Sequence, residues 1–129
     1  NSGTHVYFKE HVLRKNEANS KEEFAPTALM LSSSQAIADE VAGNSAAIGY
    51  YGMGYISKKQ KPLSLAKDEK SEYEAPIIEN VINGKYPISR PLFLYTNGMP
   101  GGLVKKFVDF TISKEGQDIV LAIDFVPIR

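Results

Sequence analysis

The stretch "PLFLYTNGMPGGLVKKFVDFTIS", residues 91–113, sets a short extended run directly before a helix. Leu92–Thr96 is apolar and aromatic, and Asn97-Gly98 closes it, which predicts a strand ending in a turn. From residue 101 the period changes. Leu103, Val104, Phe107, Val108, Phe110 and Ile112 recur at helical spacing, with Lys105, Lys106 and Asp109 between them. A buried strand followed by an amphipathic helix is the repeating unit of an α/β protein.

The alternation continues in both directions. Toward the carboxy terminus, Ser113 caps a last helix running through Ile119–Ile123, with Glu115 near its positive end and "FVPIR" as an extended tail. Toward the amino terminus, "PIIENVING" (76–84) reads as a helix with proline in its first turn and Gly84 past its end. "PLSLA" (62–66) and "TALML" (27–31) read as short strands. Ala46–Tyr51 reads as a buried strand whose glycines mark close backbone approach. "SSSQAIADEVAGN" (32–44) is a helix stopped by Gly43-Asn44, and "THVYFKEHVLR" (4–14) an amphipathic helix of about three turns. Residues 15–26 and 67–75 are charged loops.

The chain has 129 residues, enough for one domain or two small lobes with a core that needs no staples. Lys+Arg and Asp+Glu balance at 15 each, so no basic excess points to nucleic acid or acidic membranes. With no cysteine, disulfides, thiolate metal sites and cysteine nucleophiles are excluded. No run reaches the ~18 apolar residues of a membrane span.

No catalytic constellation emerges. His5 and His11 miss the i, i+4 spacing of a metal pair and read as solvated helix residues. Asp39-Glu40 and the acidic residues of 67–75 read as solubilising. Tyr50, Tyr51 and Tyr55 could line a cleft, but core packing is the favoured reading. "GMPGGLVKK" is not a P-loop, "GYYGMGYIS" lacks dinucleotide-binding spacing, and no G-x-S-x-G elbow occurs.

"NSGTHVYF" (1–8) has two readings. Ser2 or Thr4 caps a helix, with Gly3 allowing the tight turn. Alternatively, their hydroxyls and the unpaired N–H groups of the first helical turn converge on a tetrahedral oxyanion, favoured by the positive end of the helix dipole. Ser32-Ser33-Ser34 carries the same ambiguity.

Several segments together resemble the phosphate-binding proteins of ABC transporters. "NSGTHVYFKEHVL" resembles the phosphate-binding S-G-T stretch, and "SAAIGYYGMGYISK" the family's isoleucine-glycine-tyrosine strand. "ENVINGKYPISRPLFLYTNG" is similar to the segment that crosses between lobes. "VKKFVDFTISKEGQDIVLAIDFVPI" is similar to the closing helices and tail.

The resemblance implies an α/β, periplasmic-binding-protein-like (type II) fold, here a partial two-lobe sandwich of helices around a mixed sheet. Residues 1–86 would hold the ligand-binding portion with the S-G-T loop, and residues 87–129 the crossing segment and the returning part of the other lobe. Ser2, Gly3 and Thr4 would contact inorganic phosphate, with Asn1 adjoining them. The expected role is non-catalytic capture, in the periplasm or at the extracellular face of the cell membrane, with or without a lipid anchor; the alternatives are a binder of another oxyanion (sulfate, molybdate) or a free-standing α/β interaction or signalling module. The partners would be the permease subunits of the importer, with no cofactor and no metal. The family's arginine, acidic residue and further donors would lie before Asn1. A complementing amino-terminal half or self-association is therefore expected.

Overall fold

In the computed structural model, residues 2–128 are described. They fall into two compact units, Asn1–Lys61 and Pro62–Arg129.

The first unit starts with α1, Gly3–Phe8, which continues into a π-helical turn, Lys9–Leu13. A single α-helix was expected over 4–14. The widening has a local cause. The Tyr7 and His11 rings stack at 4.0 Å, and His11 Nδ1 lies 3.1 Å from the Tyr7 carbonyl oxygen, the group an α-helix would pair with the His11 N–H. A side chain competing for a ladder carbonyl opens the helix. Lys15 and Asn16 then adopt positive φ and turn the chain. Arg14 fastens the following loop, donating from Nε to the Glu22 carbonyl oxygen at 3.0 Å.

α2 spans Ser34–Gly43. Ser33 caps it, its Oγ accepting the Ala36 N–H at 3.1 Å. Ala38 in its middle is fully buried. The segment after α2 packs back on it. A Cβ at Gly49 would lie 2.8 Å from Ile37 Cγ2 and 2.9 Å from Val41 Cγ2, so only glycine fits this approach. A 3₁₀ turn, Met53–Tyr55, follows, and Gln60 Nε2 donates to the Ala38 carbonyl oxygen at 2.9 Å.

The second unit carries α3 (Ile78–Ile82), α4 (Gly102–Ile112) and α5 (Lys114–Ala122). Gly84 stops α3 with φ of 65°. Ser113 ends α4 and caps α5: its Oγ donates to the Phe110 carbonyl oxygen at 2.7 Å and accepts the Gly116 N–H at 3.2 Å. The two helices meet so closely that a Cβ at Gly116 would fall 2.1 Å from the Phe110 carbonyl oxygen. Gln117 locks the corner, donating to the Thr111 carbonyl oxygen at 2.7 Å and accepting the Ile128 N–H at 2.8 Å.

The expected strands form no ladder among the described residues. Segments 27–31, 46–51 and 92–96 are unpaired, and in 62–66 only Leu65 pairs, in an antiparallel bridge with Glu74. Local sequence makes a segment extended, but a strand also needs a neighbour for its N–H and C=O groups. Segments 27–31, 46–51 and 92–96 have no such partner strand among the described residues, and part of their apolar surface lies open: Ile48 is 81% exposed and Tyr95 88%. The expected self-sufficient core is likewise thin. Among the described residues only Ala38 and Gly116 are buried, and the apolar face of α4 lies open, with Leu103 82% exposed. Apolar faces of this extent on a small chain are surfaces that call for a cover.

Candidate functional site

The site begins with the cap of α1. The Ser2 backbone is extended, and its Oγ accepts the His5 N–H at 3.2 Å, while its carbonyl oxygen accepts the Val6 N–H at 3.1 Å. The N–H groups of Gly3 and Thr4 make no hydrogen bond among the described residues. Ser2, Gly3 and Thr4 are all exposed. With its lone pair engaged by His5, the Ser2 hydroxyl keeps its proton for an outside acceptor. The turn therefore offers two hydroxyl donors and two amide donors at the positive end of a helix. Asn1 lies outside the described residues.

What stands behind this turn is an aromatic cluster. Phe8, on the next turn of α1, stacks on Tyr50 with centroids 3.9 Å apart and planes at 6°. Phe24 joins from the loop, 6.0 Å from Tyr50 and 4.9 Å from the His5 ring. The Tyr50 hydroxyl lies 3.2 Å from His5 Nδ1. Burial pushes the Tyr50 phenol above its ordinary range, so it remains a neutral O–H. Tyr50 thus faces α1 while the neighbouring Gly49 faces α2, the alternation of an extended chain.

His5 is therefore no solvated helix residue. Its partner stands 45 positions away in sequence, and only the helical spacing of His5 and Phe8 hinted at a shared face. Tyr50 takes the packing role expected of it, whereas Tyr55, expected in the core as well, is 47% exposed.

The cations of this helix are already engaged. Lys9 Nζ lies 2.6 Å from Glu23 Oε1, and Arg14 pairs with Glu10 at 3.0 Å and also with Glu23. What the turn itself presents is amides, hydroxyls and the positive end of the helix dipole.

The other motifs gather less. Ser33 forms a plain cap on α2. Asp68 turns its own loop, accepting from the Lys70 N–H at 2.9 Å and the Ser71 hydroxyl at 2.8 Å. Among the described residues no group of His, Asp and Glu could hold a metal ion, and no helix is long and apolar enough to cross a membrane.

Comparison with known proteins brings the site into a family context. A family model described as a PBP superfamily domain matches residues 1–115. The chain is 34% identical to the phosphate-binding protein PstS of Pseudomonas aeruginosa, an alignment that covers 98% of this chain and 39% of that protein. It is 30% identical to phosphate-binding protein PstS 2 of Streptococcus pneumoniae, over 97% of this chain and 42% of the relative. A crystal structure of a phosphate ABC transporter phosphate-binding protein from Streptococcus pneumoniae superposes with a TM-score of 0.78 at 28% identity. It covers 99% of this chain and 48% of that one. The fold is periplasmic-binding-protein-like. The chain spans about two fifths of the length of these curated relatives.

Proposed function

The chain belongs to the PBP superfamily, and from that premise we propose that it serves phosphate capture in the extracytoplasmic solute-binding component of an ABC importer. Ser2, Gly3 and Thr4 supply one wall of the binding site, with Asn1 beside them. The ion is held and released without covalent chemistry, and the importer's permease subunits receive it. Residues 1–86 belong to the ligand-binding lobe; residues 87–129 cross to the other lobe and return.

The observation that carries this reading is the donor set at the start of α1: the exposed hydroxyls of Ser2 and Thr4, and the Gly3 and Thr4 amides, which make no hydrogen bond among the described residues. A tetrahedral dianion accepts several hydrogen bonds at once, each charge-assisted and worth about 1.5–3 kcal/mol. Ser33 caps α2 in a similar way, so cap geometry alone does not separate a site from a structural cap. The likeness to proteins named for phosphate binding favours the first cap as the site.

These donors cover one side of an anion, so tight binding needs donors from elsewhere. The reading places them in a complementing amino-terminal portion, in keeping with the share of the relatives that the chain matches. The same portion would cover segments 92–96 and the open face of α4 and supply strand partners. Self-association is the competing way to cover these faces, and light scattering across concentration separates the two.

Titration calorimetry with phosphate, sulfate and molybdate tests the ligand. Phosphate binding in clear preference to the other two is expected. Preference for another oxyanion would overturn the ligand and leave the fold standing.

A further inference from the structure

We propose that Tyr50 is a positioning residue for the Ser2–Thr4 donor turn, an inference that rests on the anion-site reading above. Two bonds meet on one residue, His5. Its backbone N–H donates to Ser2 Oγ at 3.2 Å, and its ring Nδ1 lies 3.2 Å from the Tyr50 hydroxyl. The His5 position therefore decides whether the Ser2 lone pair is engaged and its proton is turned outward. A second attachment comes from Phe8, stacked on Tyr50 at 3.9 Å. Tyr50 so holds α1 at two side chains, the His5 ring and the Phe8 ring.

Among the described residues Tyr50 makes no hydrogen bond or ring contact with Ser2, Gly3 or Thr4; it works through His5 and Phe8. Its extended segment is in turn seated on α2, where Gly49 lies against Ile37 and Val41. A loose donor turn would have to be ordered by the ligand at a cost in affinity, whereas a braced one is ready beforehand. An ordinary packing residue would lose stability on substitution without touching the state of His5.

The test uses Tyr50→Phe in the full-length protein. This variant keeps the ring on Phe8 and removes only the hydroxyl. Phosphate affinity should fall roughly three- to tenfold, the worth of one hydrogen bond, with little change in Tm. The tautomer balance of His5, followed by NMR of its ring nitrogens, should shift, because Nδ1 has lost its hydrogen-bond partner. Unchanged affinity or an unchanged tautomer would overturn the positioning role. Tyr50→Leu, lacking both attachments, should weaken phosphate binding further; a loss no greater than that of the phenylalanine variant would also contradict it. The doubly substituted Ser2→Ala, Thr4→Ala protein distinguishes the two failures. If it still binds phosphate normally, the site itself is elsewhere. If it loses binding while Tyr50→Phe retains it, the site stands and Tyr50 does not position it.

Discussion

The Tyr50 ring lies flat on Phe8, their centroids 3.9 Å apart and their planes at 6°. This contact ties the first helix to a segment more than forty positions away. Such stacked pairs contribute about 0.5–1.5 kcal/mol beyond the area they bury. Phe8→Leu keeps an apolar side chain and loses the stack, so stability should fall by about that amount. Denaturant unfolding measures it, and an unchanged midpoint would mean the rings are passive neighbours.

Gly116 sits where α5 leaves α4, with the Phe110 carbonyl oxygen 2.1 Å from where a Cβ would stand. The obstacle is backbone, so it cannot step aside. Gly116→Ala should destabilise by about 1–3 kcal/mol. Gly43, at the end of α2, has open space around the same position. Gly43→Ala should be neutral or slightly favourable, and equal effects of the two variants would count against the close helix corner.

Glu23 carries a pH dependence. Its hydrogen bond from Lys9, helped by the charges of Lys9 and Arg14, holds the carboxyl below its ordinary value. A depressed folded pKa means that the unfolded chain takes up the proton first. The contribution of these pairs is therefore present above the ordinary glutamate range and fades as pH falls through the lowered value. The pairs are exposed, so the effect is small and salt-sensitive. An NMR titration of the Glu23 carboxyl should show a midpoint below that of a free glutamate, moving back up in high salt. A midpoint that ignored Lys9→Met would contradict the assignment.

Ser33 offers a control for the site. Its Oγ accepts the Ala36 N–H at 3.1 Å, an ordinary helix cap. Ser33→Ala should cost about 1 kcal/mol of stability. Phosphate affinity should remain unchanged, since the residue is assigned no ligand role. A loss of binding there would place part of the site on α2.

The helices were readable because their signals are local. Ser2, Ser33 and Ser113 sit where caps belong, and Gly84 stops α3 with a positive φ. The strands were not, because pairing is a property of two segments. Leu92–Thr96 has a strand's composition but no neighbour among the described residues. The candidate site was legible in part for the same reason. Ser2, Gly3 and Thr4 announce themselves as donors within four residues. The brace behind them joins His5 to Tyr50, and no spacing rule reaches across that distance. The π-helical turn after Phe8 was hidden too, since it arises from a side chain competing for a backbone carbonyl.

The central claim is that the first turn of α1 holds phosphate, and the direct test is calorimetric titration of phosphate into the full-length protein and its Ser2→Ala, Thr4→Ala variant. Removing two charge-assisted donors should weaken binding by at least two orders of magnitude, while the Ser33→Ala protein binds as the parent does. A double variant that binds phosphate with parental affinity would contradict the account and return Ser2 to the role of a helix cap.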